Sequence, residues 1–418
     1  MMTLQERVHS VAAPKKWKSL KLHHVLRARD GNKNIGMKED NLLSLSYGRI
    51  IRKDIDSTDG LLPESFETYQ IVDPGNIVMR LTDLQNDKRS LRQGLVEERG
   101  IITSAYDALE VGKNHDPCFW FYSLFALDLA KYYYSLGGGV RQSINFSDFP
   151  NDWISAPCLA DQRSIADFLD RETARIDSLI EKKEVFLKKL AARIHALVDK
   201  AISDPNVKRI RFENVTCPVS RPVVLSDHDE LVRLGLYNRG RGIFKKPAAD
   251  EEGMGESEFF FIKEGDLILS GQFSWEGAVA LAGADEEGCV VSHRYPVYRG
   301  RPGIHTAYLL GLLRSGYGDF LLNESSRGAA GRNRPLNKWR LGKEKIPIPS
   351  ERLQKQVEQA ITAERALKKK TDVSIDLLNE FRSSLINAAV TGKIDVTAWS
   401  KRGEVERRLD RVERVKHA

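Results

Sequence analysis

The longest regular pattern in the chain is a central stretch from Asp161 to Ile202, in which apolar residues return at helical spacing between Lys, Arg, Glu and Asp. This pattern predicts one amphipathic helix of roughly 60 Å, with Asp161 capping its first turn and Pro205 stopping it. A helix this long with apolar residues on one side only is not typical of a domain core, so its apolar stripe requires a partner helix. The apolar positions are Ile165, Leu169, Ile176, Ile180, Leu187, Leu190, Ile194, Leu197 and Ala201.

A second long stretch, from Arg352 to Thr391, is the predicted partner. Ser350 is expected to cap its start, and Gly392 to end it as the residue after the C-cap. Its period is less regular than the first, because three consecutive lysines at 368–370 interrupt it. The apolar positions are Leu353, Val357, Ile361, Leu367, Ile375, Leu378, Phe381, Leu385 and Ala389.

The two stretches belong to an internal repeat of about 190 residues. The matching pairs are Tyr47 and Tyr237, Arg49 and Arg239, Gly75 and Gly265, Pro157 and Pro349, and Gln162 and Gln354. Each copy ends in a loop containing Gly, Arg and Asn, then a short apolar run, a proline and a long helix. The chain is therefore predicted to be a duplication in which each domain is followed by a helix.

The segments before each helix are rich in short β-like runs and predict α+β domains. LLSLSYGRII (42–51) and NIVMRL (76–81) are predicted strands, and the aromatic run 119–136 is a predicted helix. The predicted boundaries are 1–156 for the first domain, 157–204 for the first helix, 205–348 for the second domain, 349–395 for the second helix and 396–418 for a basic tail.

The bulk composition indicates a folded protein that leans weakly towards a polyanionic partner. The chain has 418 residues, 41% of them hydrophobic, and a formal net charge of +7. A slightly basic protein without such a partner fits the charge equally well. The four cysteines form no CxxC pair, which fits reduced thiols. With no signal-peptide pattern and no apolar run long enough to span a bilayer, we expect a cytoplasmic protein without membrane contact.

A search for catalytic motifs favours a protein without an active site. Asp116-Pro117-Cys118-Phe119 is similar to the D/N-P-P-Y/F motif of amino-methyltransferases, but the second proline and a cofactor loop are missing, so a turn before a helix is the better interpretation. The GGGV run at 137–140 lacks the Lys-Ser/Thr of a phosphate loop. No HExxH motif or histidine pair at metal-ligand spacing occurs, so neither a metal nor a cofactor is predicted.

The remaining chemistry indicates binding. Arg, Lys, Asn, Gln and Tyr recur in predicted loops of both copies; Arg suits guanine or phosphate, and Asn and Gln suit adenine. Any single one of these residues is more often an ordinary solvated loop residue, and only their recurrence favours DNA contact. The candidate DNA-binding residues are Tyr47, Arg49, Arg141, Gln142, Asn145, Tyr237, Arg239, Arg241, Lys245, Lys246, Arg332, Arg334 and Asn337.

The helix starts carry a resemblance to a known family. The first copy has Pro157, Gln162, Ile165, Ala166, Phe168, Leu169, Asp170, Ala174, Ile176, Asp177, Leu179 and Ile180. The second copy has Pro349, Gln354, Val357 and Ile361 and closes with LINAAVTGKID (385–395). With its two-copy layout, the chain resembles the specificity subunits of type I restriction-modification enzymes over nearly its whole length. It departs from the family pattern at Leu353, where an acid usually precedes the Gln, and at the AISD end of the first helix.

This resemblance implies a fold and a function. Two target-recognition domains would each bind one half of a split, asymmetric double-stranded DNA target, separated by the long helices packed as an antiparallel coiled coil. Two methyltransferase subunits holding S-adenosylmethionine would methylate adenine, and motor-nuclease subunits using ATP and Mg would cut unmodified DNA. Two major-groove readers on one face of a duplex are roughly 34 Å apart, or a multiple of it, which suits a rigid helical spacer.

Two other classes of function remain open at this point. The DPCF tetrapeptide leaves a methyltransferase or nuclease acting alone as an alternative. The long helices alone leave a coiled-coil scaffold that does not bind DNA as another.

Overall fold

The computed structural model describes residues 2–56, 63, 65–84, 91–136, 143–327 and 334–396. The contacts divide the chain into two compact units. Unit 1 combines Met1–Ile180 with Ile375–Ala418, and unit 2 is Glu181–Ser374. The start of the first long helix and the end of the second therefore belong to the same unit.

Nine α-helices are present in the described part of the chain, and two of them are far longer than the rest. The long ones contain 45 and 40 residues, as the apolar periodicity predicts. The bounds are α1 Leu4–His9, α2 Pro117–Leu129, α3 Leu159–Ser203, α4 Phe212–Val215, α5 Glu251–Met254, α6 Thr306–Leu313, α7 Gly316–Glu324, α8 Lys338–Lys343 and α9 Glu351–Val390.

The helix ends follow local rules, with one correction. Helix α3 begins two residues before Asp161, so this residue lies in the first turn and does not cap it. At the other end of α9, Gly392 has a positive φ of 74°. Its N–H donates to the Ala389 carbonyl at 3.2 Å, and the Lys393 N–H donates to the Ala388 carbonyl at 2.9 Å. This pair of bonds is a Schellman motif, which explains the glycine at this position.

The described residues of unit 1 form ten short strands. A four-stranded antiparallel sheet has the order β2-β9-β6-β7, and β1 pairs with β10, β3 with β4, and β5 with β8. An isolated parallel bridge from Leu42 to Ile101 places the β3–β4 hairpin beside β8. The bounds are β1 Lys18–Lys21, β2 Leu26–Ala28, β3 Leu43–Ser46, β4 Arg49–Arg52, β5 Gln70–Val72, β6 Ile77–Met79, β7 Gln93–Leu95, β8 Gly100–Ile102, β9 Asp107–Val111 and β10 Trp153–Ala156.

Unit 2 repeats this arrangement strand for strand. Its sheets have the orders β12-β19-β16-β17 and β14-β13-β18-β15, and β11 pairs with β20. The bond between β13 and β18 is again parallel. The bounds are β11 Lys208–Arg211, β12 Thr216–Pro218, β13 Leu231–Tyr237, β14 Gly242–Ala249, β15 Phe259–Phe261, β16 Leu267–Leu269, β17 Val279–Leu281, β18 Val290–Ser292, β19 Val297–Gly300 and β20 Lys345–Ile348. The shared topology confirms the predicted duplication.

Each unit builds its main core partly from both long helices. In unit 1, Leu169 of α3 and Ala389 of α9 are fully buried in the cluster that contains Trp120. In unit 2, Val198 of α3 and Val357 of α9 are fully buried around Tyr308. The outer parts of each stripe are therefore covered within the units, whereas the middle positions Leu187, Leu190 and Leu367 join no core cluster. Phe381, a predicted stripe position, is 47% exposed, so the prediction of a fully covered stripe was wrong there. Within the described residues, no helix is both long and apolar enough to cross a membrane.

A buried glutamine fastens each long helix to its unit in the same way. The Gln162 side chain accepts from the Asp116 N–H at 2.9 Å and donates to the Pro157 carbonyl at 2.9 Å. The Gln354 side chain accepts from the His305 N–H at 3.0 Å and donates to the Pro349 carbonyl at 3.1 Å. The repeated proline and glutamine thus have a structural role, because they satisfy backbone groups at the start of α2 or α6 and ahead of the long helix.

The two units differ in the position and burial of one paired carboxylate. In unit 2, the fully buried Asp266 carboxylate pairs with Arg221 at 2.6 Å and with Arg299 at 2.6 Å. Unit 1 has Asn76 at the corresponding strand start, and the carboxylate is supplied three residues earlier by Asp73, which pairs with Arg29 at 2.9 Å. The duplication has kept the ion pair with the strand while moving the acid along the chain.

Gln354→Ala should lower the free energy of unfolding by about 1–3 kcal/mol, because it leaves buried backbone groups without partners. Gln356→Ala, the same change at an exposed position of the same helix, should alter it by less than about 0.5 kcal/mol. Denaturant unfolding of both variants measures the difference. Equal effects would mean that the Gln354 bonds contribute nothing beyond helix propensity.

Asp266→Asn should destabilise unit 2 by about 3 kcal/mol, because two arginines lose their anion. Burial alone raises the pKa of Asp266, but hydrogen bonds from Arg221, the Lys263 N–H and Arg299 outweigh it, so the pKa lies below its ordinary value. The stabilisation is therefore fully present above the ordinary carboxyl pKa and is lost as the pH falls through the lowered one. The free energy of unfolding should therefore differ less and less between Asp266→Asn and the wild type as it is measured at more acidic pH.

Adding Lys263→Asp to Asp266→Asn supplies the control. This double variant places the acid and the amide at the positions that they occupy in unit 1. It should recover part of the stability lost by the single variant. If the double variant is less stable than Asp266→Asn, the two units do not use equivalent ion pairs.

Candidate nucleic-acid interface

The hairpin β3–β4 presents the most exposed aromatic side chain among the candidate residues. Ser46 pairs with Arg49, so the turn has only two central residues, Tyr47 and Gly48. Both have positive φ, 47° and 78°, as a type I′ turn requires. The Tyr47 side chain is 82% exposed at this tip. The sequence-based prediction of one strand over 42–51 was therefore wrong, because this turn divides it.

Arg49 is held by the long helix that follows its own domain. Its guanidinium forms an ion pair with Asp177 on α3. The second oxygen of the same carboxylate accepts from Arg382 on α9 at 2.8 Å. Two cations therefore share one anion beneath the hairpin, and the cleft beside them is also lined by the acidic residues Glu97 and Asp170.

Asn145 is the other unit 1 candidate among the described residues, and it lies in the loop before β10. Asn145 is exposed, and its backbone N–H donates to the Asp148 carboxylate at 2.8 Å at the start of a short 3₁₀ turn. Arg141 and Gln142 lie outside the described residues, as does the GGGV run.

The corresponding hairpin of unit 2, β13–β14, has a longer tip. Tyr237 pairs with Gly242, which leaves the four residues Asn238–Arg241 in the turn. Arg239 has a φ of 58° there, so it occupies the turn, whereas Arg49 is the first residue after its turn. The two arginines that match in sequence are therefore not equivalent in structure. Arg241 lies over the Tyr237 ring at 5.3 Å and also donates to the Asn238 carbonyl at 3.1 Å.

A neighbouring loop joins this tip to a further candidate. The Arg239 N–H donates to the Glu276 carbonyl at 2.7 Å, and the Arg334 guanidinium lies over the adjacent Trp275 ring at 5.1 Å. Stacking uses the face of a guanidinium and leaves the N–H groups at its edge available to a base or phosphate. We call Tyr237, Asn238–Arg241, Trp275 and Arg334 the tip surface of unit 2.

Two lysines of β14 extend from the tip surface along the hairpin. Lys245 donates to the Asp285 carbonyl, and the Asp285 carboxylate pairs with Lys369 of α9 at 2.6 Å. This ion pair with Lys369 holds the pKa of Asp285 below its ordinary value. Lys246 is exposed on the same strand.

Asn337 has a definite structural role. Its side-chain oxygen accepts from the Arg340 N–H at 3.0 Å and caps helix α8. This bond uses one lone pair of the oxygen and fixes the side-chain orientation, so any base contact must be made from the capping position. Its contact with DNA remains a prediction, as do those of the other candidate residues. Arg332 lies outside the described residues.

The DPCF segment forms the start of a helix. Asp116 caps α2 by accepting from the Phe119 N–H at 2.9 Å, and Pro117 occupies the first helical position. Burial raises the pKa of the Cys118 thiol, and the nearby Asp170 carboxylate raises it further. A thiol kept protonated is a poor nucleophile, so this cluster does not suit covalent catalysis. Among the described residues, no group of three or more His, Cys, Asp or Glu could hold a metal ion.

Comparison with known proteins identifies the architecture. The sequence matches no protein-family model and no curated protein. A chain from a study of complex assembly and conformational transition of the type I R-M system matches the structure with a TM-score of 0.57 and 16% identity, covering 92% of this chain and 100% of that one. The type I restriction-modification system S subunit from M. genitalium matches with a TM-score of 0.52 and 12% identity, covering 93% and 99%. The chain has the fold of a type I S subunit.

Within this S-subunit fold, the structure adds residues that the sequence did not single out for binding. Trp275 supports Arg334, and Asp177 holds Arg49. A tryptophan beside Gly and Gln in a short loop gave a weak signal for the first. Asp177 had no such signal, because its partner lies more than a hundred residues away in the sequence.

Asn337→Ser and Asn337→Ala separate the capping role from base contact. The serine hydroxyl retains a capping acceptor, so this variant should keep wild-type stability, whereas the alanine variant should lose about 1 kcal/mol. Thermal unfolding measures the cap, and duplex binding measures base contact. If both variants bind DNA as the wild type does at equal folded concentration, Asn337 is a cap and not a base reader.

Proposed function

We propose that this chain is the sequence-specific DNA-binding subunit of a type I restriction-modification complex. The observation that carries the proposal is the pairing of two topologically equivalent units with different polar side chains at equivalent hairpin tips. Unit 1 presents Tyr47 and Arg49, whereas unit 2 presents Arg239 and Arg241 beside Trp275 and Arg334. Two readers with different surfaces suit a bipartite, asymmetric target.

The tip surface of unit 2 has the chemistry that major-groove recognition needs. Arg241 and Arg334 lie over aromatic rings, which restrict the guanidinium orientation while their N–H edges remain available. A guanidinium held in this way suits the two acceptors on guanine, and each such bidentate contact contributes about 1–3 kcal/mol of discrimination. The exposed Lys246 adds charge suited to phosphate contacts, which raise affinity without specifying sequence.

The chain itself is proposed to be non-catalytic. The motif nearest to a methyltransferase signature forms the start of α2, and burial raises the pKa of the Cys118 thiol within it. Adenine methylation would be carried out by two methyltransferase subunits that hold S-adenosylmethionine. Cleavage would be carried out by motor-nuclease subunits that use ATP and Mg. The long helices α3 and α9 would present the surface on which methyltransferase subunits assemble.

Methylome sequencing tests the proposal directly. The chain is co-expressed with its neighbouring methyltransferase, and adenine methylation is mapped with and without it. We expect a bipartite motif that disappears when the chain is omitted. Adenine methylation that does not depend on the chain, or binding of S-adenosylmethionine by the isolated chain, would contradict a purely recognising role.

Variants in the two units should separate the two half-sites. Arg239→Ala together with Arg334→Ala should relax recognition at one half-site, at a cost of about 1–3 kcal/mol for each true base contact. Tyr47→Ala should affect only the other half-site. Binding is measured to duplexes in which one half-site at a time is scrambled. An equal loss at both half-sites would assign these residues to backbone contact or to folding.

A further inference from the structure

We propose that Asp177 is a positioning residue that holds Arg49 in reserve for a DNA phosphate. This inference rests on the proposed function and adds a regulatory contact within the unit 1 hairpin. Its structural basis is the unequal sharing of one carboxylate: Asp177 on α3 binds Arg382 through one oxygen at 2.8 Å and Arg49 through the other. The Asp177 side chain is itself only 31% exposed.

The two arginines differ in how easily they can leave Asp177. The Arg49 side chain is 67% exposed and begins β4 directly after the tip turn, whereas the Arg382 side chain is 25% exposed and lies on a helix. When Arg49 departs, Asp177 keeps a full ionic partner in Arg382. An exposed ion pair contributes little to stability, so exchanging Asp177 for a phosphate as the partner of Arg49 requires little free energy.

Space for this exchange exists beneath the hairpin. A cleft of about 390 Å³ in unit 1 is lined by Tyr47, Arg49, Asp177 and Arg382. Gly48 fixes one side of the turn, because an added Cβ there would lie 3.0 Å from the Leu91 side chain. The turn backbone is therefore packed in place while the Arg49 side chain borders open volume, so a movement of this side chain does not require the hairpin to unfold.

In unit 2, the contact between the hairpin and a long helix does not pair an arginine side chain with a carboxylate. Lys368 of α9 donates to the Arg241 backbone carbonyl at 2.8 Å. The Arg241 guanidinium stacks on Tyr237 and donates to a backbone carbonyl, so no carboxylate has to be displaced before it meets DNA. Both hairpins therefore contact a long helix. The Arg241 side chain of unit 2 stays available to DNA, whereas the Arg49 side chain of unit 1 is paired with a carboxylate. The pairing of Arg49 with Asp177 weakens non-specific DNA binding by unit 1. Unit 1 is therefore expected to bind firmly only where the rest of its half-site has the correct sequence.

Asp177→Asn in the full-length chain tests the proposal, because the amide oxygen can still accept from Arg382 but no longer holds Arg49 by charge. Binding is measured to a random-sequence duplex, since phosphate contact does not depend on sequence, at low and moderate salt. We expect the variant to bind about two- to five-fold more tightly than wild type. Arg49→Gln should bind more weakly and reduce the salt slope by about one.

Asp167→Asn is the matched control, because it removes the same charge from an exposed position ten residues earlier on α3. The Asp177→Asn gain should exceed the Asp167→Asn gain and should vanish in the Arg49→Gln background. Equal gains for the two aspartate variants, or a gain that persists without Arg49, would overturn the inference. If the wild type itself does not bind duplex DNA, the proposed function fails instead.

Arg382→Gln keeps the proposal testable should Asp177→Asn fold poorly. Of its two arginine partners, Asp177 would then keep only Arg49 and would bind its guanidinium more strongly. DNA binding should therefore weaken by more than it does for Arg175→Gln, an exposed charge removal two residues from Asp177 on α3. Equal losses in Arg382→Gln and Arg175→Gln would count against a shared carboxylate.

Discussion

Burial of the apolar stripes on α3 and α9 is the constraint on which the rest of the structure depends. Neither helix buries its stripe within one unit. The unit 1 core contains Leu169 of α3 and Ala389 of α9, and the unit 2 core contains Val198 of α3 and Val357 of α9. Each unit therefore completes its core with helical residues from two distant parts of the chain. A buried leucine such as Leu169 contributes about 2–5 kcal/mol by comparison with alanine, so these helices are structural parts of both units rather than linkers.

Fixing a helix end to a domain requires polar contacts as well as burial. The glutamines at positions 162 and 354 provide them, because each satisfies a backbone donor in the domain and a carbonyl ahead of its own helix. Buried backbone groups without such partners would be costly. The arrangement also shows which parts of a duplicated domain tolerate change. The glutamine bonds are the same in both units, while the paired acid is Asp73 in one and Asp266 in the other, at positions that do not correspond, and the hairpin tips differ.

Features governed by short-range pattern could be predicted from the sequence. The 3.6-residue period predicted both long helices, and Gly392 marked the end of the second because its φ of 74° suits glycine. The β3–β4 turn was missed because a tyrosine at positive φ is not a usual turn signal. Arg49 and Arg239 matched in sequence but differ in position, since the two hairpin turns differ in length. The Arg49–Asp177 contact depends on tertiary packing, which no local pattern records.

The discontinuous composition of unit 1 has a consequence for biosynthesis. Unit 2 is one continuous segment, Glu181–Ser374, whereas unit 1 needs Ile375 and later residues to complete its core. A ribosome therefore makes all of unit 2 before the last helical turns of unit 1 exist. Until translation passes Val390, the unit 1 core lacks Leu385, Ile386, Ala389 and Val390. Domains generally fold as units in the order of their synthesis, whereas here the unit that is begun first is completed last. Holdase chaperones would accordingly find their binding site on the amino-terminal segment of the nascent chain.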